Sequence, residues 1–113
     1  MSKLVDSFPE LVAELENSLR ADNRTGLASQ LREAMIREVT FDNAANAGYI
    51  YLEPTRALNI VEANIIGERF GQTVPVKSSY WTNIDTDNFK RIVGIEVLDP
   101  GTLKPALRRL ARG

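Results

Sequence analysis

Apolar residues recur at two different periods along this chain, and the change of period divides it. Phe8, Leu11, Val12, Leu15 and Leu19 are spaced by three and four, forming one stripe of a helix, with Glu14 and Glu16 off the stripe. Ser7-Phe8-Pro9-Glu10 reads as the start of that helix: Ser7 is the candidate N-cap, Glu10 sits three residues on, and Pro9 falls in the first turn. The helix is expected to stop near Ala21, before Asp22-Asn23. A second stripe, Leu27, Leu31, Ala34 and Met35, predicts a helix from about Thr25 to Ile36. Residues 1–37 therefore read as a helical hairpin whose stripes face a common core.

From residue 38 the period drops to two. Val39 and Phe41 alternate with Glu38 and Thr40, and the turn-rich Asp42–Gly48 leads into Tyr49-Ile50-Tyr51-Leu52-Glu53, with Pro54 as the stop. Asn43, Asn46 and Gly48 suit backbone positions that need turns or positive φ. Leu58, Ile60, Val61, Ile65 and Ile66 suggest a strand with a bulge, followed by a turn between Gly67 and Gly71. Thr73-Val74-Pro75-Val76-Lys77 has the look of an edge strand, because Pro75 cannot donate to a central ladder. Trp81–Asp85 and Arg91–Leu98 form a last hairpin connected through Asp85–Lys90. Both faces of its second strand are largely apolar, which predicts a central position. Val93, Ile95 and Val97 are expected on one face and Ile92, Gly94, Glu96 and Leu98 on the other. Glu96 is then a carboxylate among apolar neighbours, and Gly94 marks a place where something approaches the backbone closely. Leu103, Leu107 and Leu110 recur at helical spacing in a short basic helix, with Pro105 near its start.

The pattern predicts an α+β fold in a single domain over 1–113. An N-terminal helical hairpin (1–37) packs on an antiparallel β-meander of four to five strands (38–99), and a short basic C-terminal helix (100–113) follows. At 113 residues, with 43% hydrophobic and 26% charged residues, the chain has the ordinary mixture of a globular domain.

Composition narrows the chemistry. The chain has neither cysteine nor histidine. That removes disulfides, thiolate and imidazole metal ligation, the Cys nucleophile and the Ser-His-Asp arrangement. No catalytic, cofactor or metal residues are assigned, and a non-enzymatic protein is expected. The formal net charge of −1 offers no global field for nucleic acid. No apolar run approaches the roughly 20 residues of a membrane span, and Asp6 directly follows Leu4-Val5 where a leader would need an apolar core, so a cytoplasmic location is expected. Charge is nevertheless uneven. Lys3 and Arg20 stand against Asp6, Glu10, Glu14, Glu16 and Asp22 at one end, while Lys104, Arg108, Arg109 and Arg112 have no acid beside them at the other. Such ends attract each other in the fold or across a dimer, or remain solvated helix faces. DNA reading by a helix-turn-helix is disfavoured, because the first helix is acidic and the second offers only Gln30, Arg32 and Arg37.

Two motifs resemble a known family. Phe41-Asp42-Asn43-Ala44-Ala45-Asn46-Ala47-Gly48-Tyr49-Ile50-Tyr51-Leu52 is similar to the opening aromatic-Asp-x-x-x-Asp-x-Leu-Tyr-Ile motif of the bacterial domain-of-unknown-function family 2283. Ile84-Asp85-Thr86-Asp87-Asn88-Phe89-Lys90-Arg91-Ile92-Val93-Gly94-Ile95-Glu96 resembles its closing motif, a Val-Asp-x-Asp hairpin returning through Val-Gly-Ile-Glu. The resemblance spans about residues 38–99. Asn46 stands where the family has a second acid, Gly48 where it has leucine, and Asn88-Phe89-Lys90 where it has an Asp-Gly turn. The segment that includes Gly71 to Tyr80 is also longer. The resemblance implies a compact β-rich domain and, since some members look like the antidote half of toxin–antitoxin pairs, a toxin-neutralising role by analogy.

Three sets of side chains are candidates for function. Asp85, Asp87 and Glu96 form a candidate acidic cluster across the last hairpin, able to hold Mg²⁺ or Ca²⁺ if they converge. Otherwise Asp85 and Asp87 bond turn amides and Glu96 pairs with Arg91 or Arg69. Tyr49 and Tyr51 share a strand face; without interleaved basic residues they suit packing or a protein interface better than stacking on bases. Tyr80 and Trp81, with Glu10 and Glu14 on the acidic first helix, are the candidate interface residues. Lys77 with Ser78 and Ser79 lacks any recognisable base or oxyanion hole. The leading expectation is a non-enzymatic protein-binding module, antitoxin- or immunity-like, that occludes a protein partner such as a toxin. The acidic first helix and the sheet edge near Pro75 are the expected surfaces. An acidic metal- or small-ligand-binding domain and a homodimeric structural domain are the alternatives.

Overall fold

A computed structural model of the chain describes residues 2–64 and 71–112. Two helices open it, α1 (Leu4–Ser7) and α2 (Pro9–Ala21). Their separation follows from Pro9: the residue before a proline avoids helical backbone, and Phe8 sits at φ −134°. Ser7 therefore closes α1 and does not cap α2, which has no side-chain cap at Phe8. α2 ends as expected near Ala21. Asn23 takes the left-handed conformation (φ 61°), and the Asn23 and Arg24 amides return to the carbonyls of Arg20 and Leu19.

α3 (Thr25–Glu33) is shorter than its apolar stripe suggests. Ala34 turns extended, and β1 (Met35–Asp42) begins where the helix was expected to continue. An apolar Ala-Met-Ile run fits either period. Tertiary pairing decides: the Ile36 amide donates to Ser2 and the Leu4 amide to Ala34, so the N-terminal residues lie along the start of the strand.

β2 (Ala47–Glu53), β3 (Gln72–Val76), β4 (Thr82–Thr86) and β5 (Ile92–Val97) complete an antiparallel sheet of order β1-β2-β5-β4-β3. The strands are not laid down in chain order. After β2 the chain crosses to the far edge, then returns inward through β3 and β4, so β5 closes the sheet at its centre. The central position expected for β5 and the edge position expected for the Pro75 strand are both present. Where a strand was expected through Ile60 and Val61, a short helix forms, α4 (Ile60–Ala63), capped reciprocally by Asn59 and Glu62. Ile65, Ile66 and Gly67 of that expected strand and turn lie outside the described residues. The last helix, α5 (Lys104–Ala111), follows a single 3-10 turn at Gly101–Leu103.

The core lies on one face of the sheet. Phe8 between α1 and α2, Leu11, Leu15 and Leu19 of α2, Leu31 of α3 and Leu107 of α5 pack with Ile50, Leu52, Ile84, Ile95 and Val97 in one buried cluster. Each such side chain contributes about 1.5–3 kcal/mol of burial. Gly48 is there for packing, not for a turn: a Cβ would press on the Leu107 methyls at 3.1 Å. A bulge between Asp85 and Thr86 shifts the register, so Ile92 pairs with Thr86 and joins the covered face, not the face of Gly94 and Glu96.

Candidate functional site

The second face of the sheet carries no described helix, and its residues are half-buried or exposed except Gly94, which is buried. Register places its side chains. Glu38 opposes Tyr51, Thr40 opposes Tyr49, Tyr49 opposes Glu96, and Tyr51 opposes Gly94. Across β5, Gly94 opposes Asp85 and Glu96 opposes Asn83; on the edge strand, Thr73 and Pro75 continue the two rows.

A polar network crosses this face. The Tyr49 hydroxyl reaches over β5 and donates to Asp85 Oδ2 at 2.6 Å, and the Thr73 hydroxyl donates to Asp85 Oδ1 at 2.7 Å. Asn83 Nδ2 donates to Glu96 Oε1 at 2.9 Å. Gly94 makes the crossing possible. A Cβ there would collide with the phenol oxygen and ring of Tyr49, which is the close approach its missing side chain signals. Burial, and then the Asp85 hydrogen bond, push the Tyr49 phenol well above its usual range. It stays neutral near pH 7 and is a hydrogen-bond donor, not a nucleophile. Tyr51 lies against Tyr49 with ring centroids 4.5 Å apart and planes tilted by 52°.

At one end the face becomes apolar. Trp81 is 70% exposed, and Leu98, whose amide donates to the Trp81 carbonyl, is 44% exposed. With Pro75, Lys77, Asn83 and Asp22 they line a shallow groove of about 610 Å³. Trp81 sits at φ 48°, a left-handed conformation that bulky residues rarely adopt. At this position the indole stands in solvent and off the core.

The anticipated residues separate. Tyr80 is 8% exposed and belongs to the core, so of the Tyr80-Trp81 pair only Trp81 is surface. Glu10 is exposed on α2. Glu14 is engaged within the fold, accepting from the amide and hydroxyl of Ser79. Asp85, Asp87 and Glu96 do not converge as a trio, and among the described residues no group of three acidic side chains is placed to hold a metal ion. Asp87 lies in the β4–β5 turn, accepting from the Phe89 and Arg91 amides and from Arg91 Nε at 2.7 Å. Burial alone would raise its carboxyl; the Arg91 and Phe89 bonds outweigh that and hold it below the usual carboxylate range. Asp85 bonds hydroxyls, not turn amides. Glu96 bonds Asn83, not Arg91; Arg69 is outside the described residues.

The remaining polar candidates are occupied structurally. Gln30 Nε2 donates to the Lys90 carbonyl and Gln30 Oε1 accepts from the Ile92 amide, both at 2.8 Å, which clamps the same turn to α3. Arg32 pairs with Glu16 at 2.7 Å. Ser78 bonds Thr82 and the Tyr80 amide, and no Ser–Lys pair forms with Lys77.

Sequence reasoning placed Tyr49 and Tyr51 on one face but missed the Tyr49–Asp85 bond. It needs the β2–β5 and β5–β4 registers together, and only Gly94 hints at it. No family model, curated protein or solved structure matches the chain in comparisons with known proteins.

Proposed function

We propose that the chain is a non-enzymatic protein-binding module that occludes a partner protein through the uncovered face of its sheet. The observation that carries this reading is Trp81. It is a large apolar side chain exposed to solvent at a left-handed backbone position, beside Leu98 and Asn83 at one end of the face that carries the Tyr49–Tyr51 pair. Tryptophan and tyrosine are the side chains that anchor protein interfaces, because each removes a large area from water at low entropic cost. A face that contributed only to folding would gain nothing from holding an indole out. On the same face the Tyr49 phenol is kept neutral, and Asp85 and Glu96 accept bonds from neutral donors, which supports a recognition surface. An antitoxin- or immunity-type role, as the family resemblance implies, is the form of occlusion this reading favours.

The test is capture from the cells that make the protein, followed by reconstitution. One stoichiometric protein partner is expected. The Tyr51→Ala/Trp81→Ala variant should lose at least about tenfold in affinity, as two anchor residues imply, while Glu10→Gln binds normally. Equal binding by the double variant would contradict the proposal.

A further inference from the structure

We infer that the uncovered face is built for a basic segment of the partner, one that presents arginine side chains. The inference rests on the proposed function and specifies the chemistry of the partner.

The uncovered face is set apart by carboxylates clustered beside aromatic rings. Four carboxylates elsewhere are paired with cations: Glu16 with Arg20 and Arg32, Glu33 with Lys3, Glu62 with Arg56, Asp87 with Arg91, whereas Asp6, Glu10, Asp22, Asp42 and Asp99 stand exposed and scattered. On the uncovered face the register gathers Glu38 and Glu53 beside the tyrosines, with Asp85 and Glu96 across β5 and β4. Among the described residues, none of these four is in an ion pair. Asp85 and Glu96 accept only from neutral donors, which fix their orientation without cancelling their charge. Among the described residues the face therefore presents four carboxylates outside any ion pair, Asp85 and Glu96 held in fixed orientation, next to two aromatic rings. Guanidinium matches both features. It forks onto a carboxylate with fixed geometry and stacks on an aromatic ring, and it is weakly hydrated, so bringing it to a half-buried surface costs less than for an ammonium.

The acidic α2 is a poorer candidate for the same partner. Its Glu16 is already paired and its Glu14 holds Ser79. A second copy of this chain, offering the basic α5, is the other source of arginine. Face to helix is a head-to-tail contact, which closes into a ring only at special rotations and otherwise runs on as a filament, so a separate partner is favoured.

The probe is a blocked hexapeptide alternating arginine with threonine, titrated into the ¹⁵N-labelled full chain at low salt. An otherwise identical glutamate–threonine peptide serves as control. The arginine peptide should give saturable shifts at Tyr49, Tyr51, Asn83 and Glu96, the control none. Glu96→Gln should weaken the arginine peptide by about fivefold, with melting temperature verifying its fold, and Glu10→Gln should not. Raising salt toward 0.5 M should abolish binding in both wild type and variant. Absence of saturable shifts, shifts centred on α2, or equal binding of both peptides would overturn the inference. So would shifts that appear without peptide as the chain is concentrated, since a second copy would then be the occupant. Partner capture through this face by a segment without basic residues would overturn the inference alone; capture through another surface would overturn the proposed function as well.

Discussion

The two faces of one sheet are made from the same five strands and differ in almost everything else. On the covered face Ile50, Leu52, Ile84, Ile95 and Val97 meet the helices and are essentially removed from water. On the other, one residue along each strand, stand Tyr49, Tyr51, Asn83, Asp85 and Glu96, all half-exposed and joined in part by side-chain hydrogen bonds. The period of a strand is two, so a single pattern of alternation carries both assignments. The covered face supplies stability by excluding water. The uncovered face keeps polar and aromatic groups in fixed orientation where another molecule can reach them. A protein under selection for stability alone would have little use for Trp81 at φ 48°.

Substitutions should separate the faces cleanly. The largest loss of stability is expected on the covered side: Ile95→Ala, a fully buried change at the centre of the sheet, should cost about 2–5 kcal/mol in urea unfolding. Asp87→Ala removes three hydrogen bonds at the turn that sets the β4–β5 pairing, and about 1–3 kcal/mol is expected. The pH dependence has a definite sign. Because the folded carboxyl of Asp87 is depressed, its contribution is present above the unfolded value near pH 3.8 and lost as pH falls through the folded one. The variant should therefore show a flatter loss of stability in acid than wild type.

Gly94→Ala tests whether the Tyr49 phenol rests on β5 as it crosses the uncovered face. Forcing the phenol off β5 should cost about 1–3 kcal/mol, and most of that cost should vanish in a Tyr49→Ala background. Equal costs in both backgrounds would mean the ring does not rest on Gly94.

Tyr49→Phe should lose only about 1 kcal/mol at pH 7. The raised phenol pKa means that its contribution is complete below the ordinary tyrosine value of about 10 and is lost as pH rises beyond it. Stability measured across that alkaline range should fall more gently in the variant. The smallest stability effect is expected at the exposed end. Trp81→Gly relieves the left-handed strain and should be neutral or gain up to about 1 kcal/mol, while losing the partner.

Much of this contrast was legible in the sequence. Alternation along Tyr49–Glu53 separates the tyrosines from Ile50 and Leu52, and the apolar run of Ile92–Val97 marks the central strand. Pro75 marks the edge. What was not legible depended on register or on competition between near-equal local choices. Ser7 looks like a cap, but Pro9 forces Phe8 out of the helix and makes Ser7 the end of a separate turn. Ile36 fits either period until Ser2 pairs with it. Ile92 changes face because of a bulge that no residue type announces. Tyr80 and Trp81 are adjacent and both aromatic, yet one is core and the other solvent, a difference set by the positive φ of Trp81. Asp85 and Asp87 are two apart in sequence, but one stands on the sheet face and the other locks the turn.

Trp81 is the only tryptophan in the chain, so its fluorescence reports on the proposed surface and nothing else. Quenching by acrylamide, a neutral probe, measures its contact with solvent in the free protein and in the saturated partner complex. The account predicts efficient quenching in the free protein and a several-fold reduction, with a blue-shifted emission, when the partner is bound. Unchanged quenching and emission at saturation would place the partner elsewhere and contradict the assignment of recognition to the uncovered face.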